Sequence, residues 1–196
     1  MLQLKTLAFL FSIISFSSTL SAQSIYQIDP THTFVNFEVE RFMVGEVTGR
    51  FNEFQGSVQY NPDDVKQTNI DVTIQVKSID TGLELRDGHL KSNIWLDAEK
   101  YPEIKFRSKK VYLSGEQILI DADLTIHGTT REVTFPMVVK GPFKDPTQAN
   151  TIGLTADLII NREDFGILMD KKMTNGHLFI GNEVKISIRA LAALKK

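Results

Sequence analysis

Alternation of apolar and polar residues runs through most of this chain, and it restricts the fold to sheets with one dry face. Val35, Phe37 and Val39 alternate with Asn36, Glu38 and Glu40. Ile70, Val72, Ile74 and Val76 alternate with Asp71, Thr73 and Gln75, and Ile118 through Ile126 alternate with Gln117, Asp121, Asp123 and Thr125. The pattern returns in Val133/Phe135/Met137/Val139, Ile152/Leu154/Ala156/Leu158/Ile160 and Val184/Ile186/Ile188/Ala190. Successive side chains of a strand point to opposite faces, so a period of two marks strands buried on one side. With the shorter candidates Phe54–Tyr60, Ile104–Ser108 and Val111–Leu113, the chain carries about eight strands, near the usual size of a closed sheet.

Turn signals separate them: Asn61-Pro62-Asp63, Ser114-Gly115, His127-Gly128, Gly141-Pro142 and Asn175-Gly176. Many short antiparallel strands with one wet face imply a sandwich or a barrel, an all-β fold. Pro136 falls inside one strand, which predicts a sheet edge or a bulge there. The alternation fails only between Thr81 and Tyr101. There Leu83, Leu90, Ile94 and Trp95 read as an apolar stripe, and residues 97–100 as a turn of helix stopped by Tyr101-Pro102. A short helical insert near residues 83–101 fits a plug or lid over one end of a barrel.

The first residues bear on the compartment. Lys5, the apolar run Leu7–Phe16 and the small residues Ser21-Ala22 read as a secretory signal peptide, residues 1–22, removed on export. Its apolar core is too short to span a bilayer, which takes about 20 residues. Residues 23–196 then form a single domain. With no cysteine in the chain, disulfides and thiolate metal sites are excluded, and stability has to come from core burial. The net charge of −2 becomes more negative when the signal peptide takes Lys5 away. That leaves no basic footprint for nucleic acid and no polybasic patch for stable membrane attachment.

Inward parity selects Val35, Phe37, Val39, Val72, Ile74, Phe106, Leu124, Ile126, Met137 and Leu154 as interior wall residues. They fit a filled core, and they equally fit a dry cavity for an elongated apolar ligand. In such a cavity each buried ligand methylene contributes roughly 0.8 kcal/mol. A bulge would flip part of this set outward. Phe165, Leu168, Met169 and Met173 concentrate flexible apolar side chains in one loop, which lines an opening or packs a corner. The four histidines, His32, His89, His127 and His177, show no pairing at metal-ligand spacing. No nucleophile elbow and no evident acid–base carboxylate pair are present. The expectation is a binding protein with no catalytic residue, metal or cofactor, and its oligomeric state, a homodimer included, stays open.

Seven segments, in order, carry a family resemblance. They are Asp29-Pro30-Thr31-His32-Thr33; Gly49-Arg50-Phe51 with Phe54 and Gly56; Thr81, Arg86-Asp87 and His89-Leu90; Tyr101–Phe106; Asp123–Thr130; Arg162–Gly166; and Gly181–Ile186. Together they resemble the YceI-like family of exported polyisoprenoid-binding proteins across the mature length. The resemblance implies a lipocalin-like barrel in a bacterial periplasm, with an isoprenoid or quinone-like tail inside and a head group near an opening. Arg41, Phe42, Arg86, His89 and Trp95 are the residues expected there, with Phe165 and Met169 beside them. Where the family often has a histidine after the first long strand, this chain has Arg41, which suits an oxyanion and equally suits a solvated surface. Arg86 and Asp87 also fit a structural role, tying the insert to the barrel. The rival readings are a filled barrel acting through its surface, in envelope stress or beside redox proteins, and a lipid-modifying enzyme.

Overall fold

The computed structural model describes residues 24–169 and 171–195. Among the described residues there are eleven antiparallel strand segments: β1 (Ser24–Ile28), β2 (Phe34–Arg41), β3 (Gly45–Phe51), β4 (Phe54–Tyr60), β5 (Asn69–Gln75), β6 (Ile79–Asp80), β7 (Glu103–Ser114), β8 (Gln117–Ile126), β9 (Thr129–Lys144), β10 (Asn150–Asn161) and β11 (Ile180–Leu194). One helix, α1 (Glu84–Lys91), lies between β6 and β7. The order β1-β4-β5-β7-β8-β9-β10-β11 closes through a β1–β11 pairing, giving an eight-stranded barrel. Above β1 the same edge of β11 pairs with β2, which carries β3 and then β6. The barrel expectation holds and the sandwich falls away, because every seam is hydrogen-bonded for at least part of its length.

The outer face shows why the polar half of the alternation is charged. Lys185 stands opposite Glu38 and bonds it at 2.6 Å; Arg107 stands opposite Asp71 at 3.0 Å. Solvent screens these exposed pairs, so they bear on strand register more than on stability. Stability comes from the interior. At the base the barrel is packed solid around Tyr26, Val58, Val111, Ile120, Ile152 and Ala192, each 2% exposed or less. A second cluster at the other end joins Val35, Ile74, Val76, Ile104, Leu124, Ile126 and Phe165 to Trp95, Leu96 and Ala98 of the insert.

Two irregularities shape the wall. The β7–β8 register slips between Ser108 and Lys110. Inward parity therefore runs through Ile104 and Phe106, then resumes at Val111, which pairs with Ile120. The β9–β10 ladder extends only from Lys144↔Asn150 to Met137↔Ala156. Above it, Thr129–Pro136 pairs only with β8 and Asp157–Asn161 only with β11. Pro136, without an N–H, stands where the two strands part, so the predicted edge is a local one inside a closed barrel. Arg131 Nε bridges the parted strands to the Asp164 carbonyl at 2.9 Å.

Gly49 lies opposite Phe37 in the β2–β3 ladder. A Cβ there would stand 2.3 Å from Phe37 Cζ and 2.8 Å from Thr81 Cγ2, so the Phe37 ring rests in the space that a side chain would fill. Gly49→Val is expected to lower stability by about 1–3 kcal/mol through overpacking. An unchanged denaturant midpoint would show that the ring does not need that space.

Candidate functional site

Between the packed base and the insert the barrel encloses a cavity of about 570 Å³, within the range of small-molecule sites. Both readings of the interior therefore apply, one at each end. All the residues named from sequence as wall or mouth line this cavity except Phe42: Val35, Phe37, Val39, Arg41, Val72, Ile74, Arg86, His89, Trp95, Phe106, Leu124, Ile126, Met137, Leu154, Phe165 and Met169. Phe42 is corrected. It occupies the β2–β3 turn with φ of 56° and does not line the cavity; its ring lies edge-on to Phe179, 4.4 Å between centroids. From there it lies under the Arg41 guanidinium, 4.6 Å away. Of the loop group, Phe165 is a buried corner, Met169 lines the cavity and Leu168 faces solvent. Wall residues that parity alone did not select include Phe51, Phe54, Phe135, Ile186 and Ile188; Phe135, Ile186 and Ile188 were readable from the same alternation.

The insert covers this end. In α1 the spacing i, i+3, i+4 puts Arg86, His89 and Leu90 on one face, and all three reach the cavity. After the helix, Ile94, Trp95 and Leu96 continue its lining. Leu83, expected in the apolar stripe, precedes the helix and is exposed. Residues 97–100 form a single hydrogen-bonded turn closed by Tyr101 N–H to the Asp97 carbonyl at 2.7 Å, the bond of one isolated helical turn. Exposed His89, Ile94 and Lys171 mark the rim.

Thr81 anchors the insert. Asp87 Oδ1 accepts from its N–H at 2.9 Å and from its hydroxyl at 2.5 Å, while Arg86 donates to its hydroxyl and its carbonyl, both at 2.7 Å. Arg86 and Asp87 thus hold the loop together, and Arg86 also borders the cavity. At the start of the segment Asp80 accepts from Gly82 N–H at 2.9 Å, and from Asn52 and Arg50. The Gly82 N–H above all, then Asn52 and Arg50, holds the Asp80 carboxyl below its ordinary 3.8. A depressed folded value means that the contribution is fully present above 3.8 and is lost as pH falls through the folded value. Protection of the Gly82 and α1 amides against hydrogen exchange is expected to drop below that pH. Asp80→Asn should remove the pH dependence, and a wild-type profile in that variant would reject the assignment.

Arg162, at the end of β10, begins a single 3-10 turn, Arg162–Phe165. Its guanidinium, 3% exposed, donates to the carbonyls of Ile167 at 2.6 Å, Met169 at 2.9 Å and Gly181 at 3.1 Å, and to Asn182 Oδ1 at 2.6 Å. Burial pushes it down from its ordinary value. Carbonyl oxygens replace water around this cation, and they clamp the loop after β10 to the start of β11. His32 Nδ1 lies 2.6 Å from Asp29 Oδ2, tying down the chain between β1 and β2. Among the described residues no group of three or more histidines and carboxylates is placed to hold a metal ion.

A closed antiparallel barrel with an apolar hollow beneath a helical cover is a calyx, the class of barrel built around an interior site. The YceI-like domain matches residues 26–192, and the chain belongs to that family. It is 32% identical to the UPF0312 protein plu2095 of Photorhabdus laumondii over 158 residues, 81% of this chain and 82% of the relative. It is also 32% identical to Protein YceI of Escherichia coli O157:H7 over 162 residues, 82% and 85% of the two. The fold is shared with Burkholderia cenocepacia BcnA, with a TM-score of 0.74 and 24% identity over 84% of this chain and 98% of that one. It is shared too with a polyisoprenoid binding domain from Saccharophagus degradans implicated in plant cell wall breakdown, with a TM-score of 0.66 and 16% identity over 88% and 99%.

Proposed function

We propose that this protein is a non-enzymatic carrier for one long apolar lipid of the polyisoprenoid or isoprenoid-quinone type, working in the periplasm after export. The observation that carries the reading is the cavity itself: about 570 Å³, walled by aliphatic, aromatic and methionine side chains from all around the barrel. Such a wall gains affinity with every methylene it takes from water. The relative from Saccharophagus degradans, described as polyisoprenoid binding, supports the same class of cargo. The signal peptide lies outside the described residues, and the periplasmic location rests on its sequence and on the family.

The test is to express the chain with its own leader, purify it from the periplasm without detergent, and extract it with organic solvent for mass spectrometry. A lipid in near-equimolar amount is expected, with a mass that separates isoprenoid from fatty-acyl cargo. An empty protein that also rejects added isoprenoids and fatty acids would overturn the proposal.

A further inference from the structure

Among the described residues the charged side chains on the cavity wall are all cationic. Arg41, Arg86, Arg162 and Lys171 line it, with His89 beside them, and no described aspartate or glutamate does. Yet the chain holds 24 acids against 22 lysines and arginines. All five stand at one end: Arg41 closes β2, Arg86 and His89 belong to α1, Arg162 directly follows β10, and Lys171 lies in the loop before β11.

Elsewhere the barrel pairs its charges across strands, at Lys185 with Glu38 and at Arg189 with Asp157. Among the described residues none of these four cations has such a carboxylate partner. Arg162 is solvated by carbonyls, and Arg86 by Thr81, which in turn holds Asp87 and offsets part of that charge. Arg41 is different. Its Nε is buried and has no hydrogen-bond partner, and its guanidinium plane meets the Phe42 ring. Lys171 Nζ sits 4.8 Å over the ring of Phe179, the residue whose N–H bonds the Lys171 carbonyl. The same Phe179 accepts the N–H of Phe42 on its carbonyl, so the Arg41 and Lys171 segments meet at one place on the rim.

Arginine and lysine donate hydrogen bonds and accept none. A buried N–H without an acceptor is destabilising, and positive charge beside an apolar hollow draws an anion more strongly than it would in water. A charged, acceptor-only head group corrects both. We infer that the cargo is an anionic amphiphile, a single apolar chain ending in a carboxylate or a phosphate monoester, with the chain in the barrel and the anionic end against Arg41 and Lys171. This rests on the lipid-binding reading and narrows it, since it excludes an uncharged head group.

The experiment uses lipid-stripped protein and ligands matched in chain and differing in head group: dodecanol, dodecanoate and dodecyl phosphate, then farnesol and farnesyl phosphate. Each is titrated calorimetrically below its micelle threshold. The anions are expected to bind at least about tenfold tighter than the alcohol of the same chain, an advantage that shrinks in roughly 0.5 M salt. Arg41→Gln, and separately Lys171→Gln at an exposed position, should each reduce that advantage severalfold. The relative affinity of dodecanoate and dodecyl phosphate decides between the two anions. Alcohols that bind as tightly as their anions would overturn the inference while leaving the lipid carrier standing. An anionic preference that survives both substitutions together would overturn the assignment to this rim. If none of the five ligands binds, the carrier reading falls and this inference with it.

Discussion

Arg162→Ala is expected to destabilise the protein by about 3–5 kcal/mol, since several buried oxygens lose their donor at about 1–3 kcal/mol each. The side chain is 3% exposed, and its nitrogens serve Ile167, Met169, Gly181 and Asn182 at 2.6–3.1 Å, with Ile180 more distant at 3.5 Å. Truncation strands those oxygens in a space that an alanine cannot fill, and each unsatisfied carbonyl costs about 1–3 kcal/mol where water cannot reach it. Water entering the gap recovers part of that, which is why the expected loss is less than the sum over acceptors. Arg162→Lys should rescue little, because one ammonium on a flexible stem cannot reproduce a planar fork that reaches several acceptors. Urea unfolding reads the effect directly. A loss below about 1 kcal/mol, the level of an ordinary surface change, would mean that the loop after β10 is held by something else. Because Met169 and Ile180 border the cavity, the variant should also bind cargo poorly for want of a formed rim.

The sequence announces Arg162 only as one member of a short motif, and nothing in its spacing reveals that oxygens from two distant segments converge on it. That contrast recurs. Strands with an unbroken alternation, such as Ile118–Ile126 and Ile152–Ile160, were legible at once, because a half-buried strand leaves that signature in its composition. β1 escaped because its five residues bury only Tyr26. β3 was visible only through the family pattern, because its inward positions read Val47, Gly49 and Phe51, and the glycine that admits Phe37 interrupts the apolar run. The slip at Lys109 was likewise invisible: one extra residue flips parity without altering the local composition.

The site was legible in its walls and not in its volume. Parity assigns Val72 and Leu124 to the interior, but a periodic pattern is the same whether the facing side chains meet or stand apart. What separates the two ends of this barrel is the size of what faces inward together with the insert. At the base Tyr26, Ile120 and Ile152 close the space completely, while at the other end Trp95 and Leu96 roof it without filling it. The rim was half legible. Arg41, Arg86 and His89 could be placed there from the family pattern, whereas Lys171 joins them only because the loop before β11 folds back on the β2–β3 turn.

Val72→Trp is expected to empty the protein of lipid without unfolding it. Val72 lies in β5, opposite Gly56 on one side and Phe106 on the other, and it keeps accessible surface although it points into the barrel. That surface faces the cavity, so a larger side chain has somewhere to go. In a filled interior the same substitution would overpack and cost about 1–3 kcal/mol or more. Here the indole should occupy the space of the lipid chain, with a denaturant midpoint close to wild type and a lipid content reduced more than about tenfold, since several methylenes at roughly 0.8 kcal/mol each lose their place. Val72→Asp makes the complementary case. A carboxylate on an apolar wall repels the tail and also destabilises the fold through desolvation, so lipid and stability should fall together. Loss of lipid in both variants, with loss of stability only in the aspartate, is the pattern a hollow barrel predicts. Full lipid content in a folded Val72→Trp protein would place the cargo elsewhere, and a large loss of stability in that variant would mean that this end of the barrel is filled.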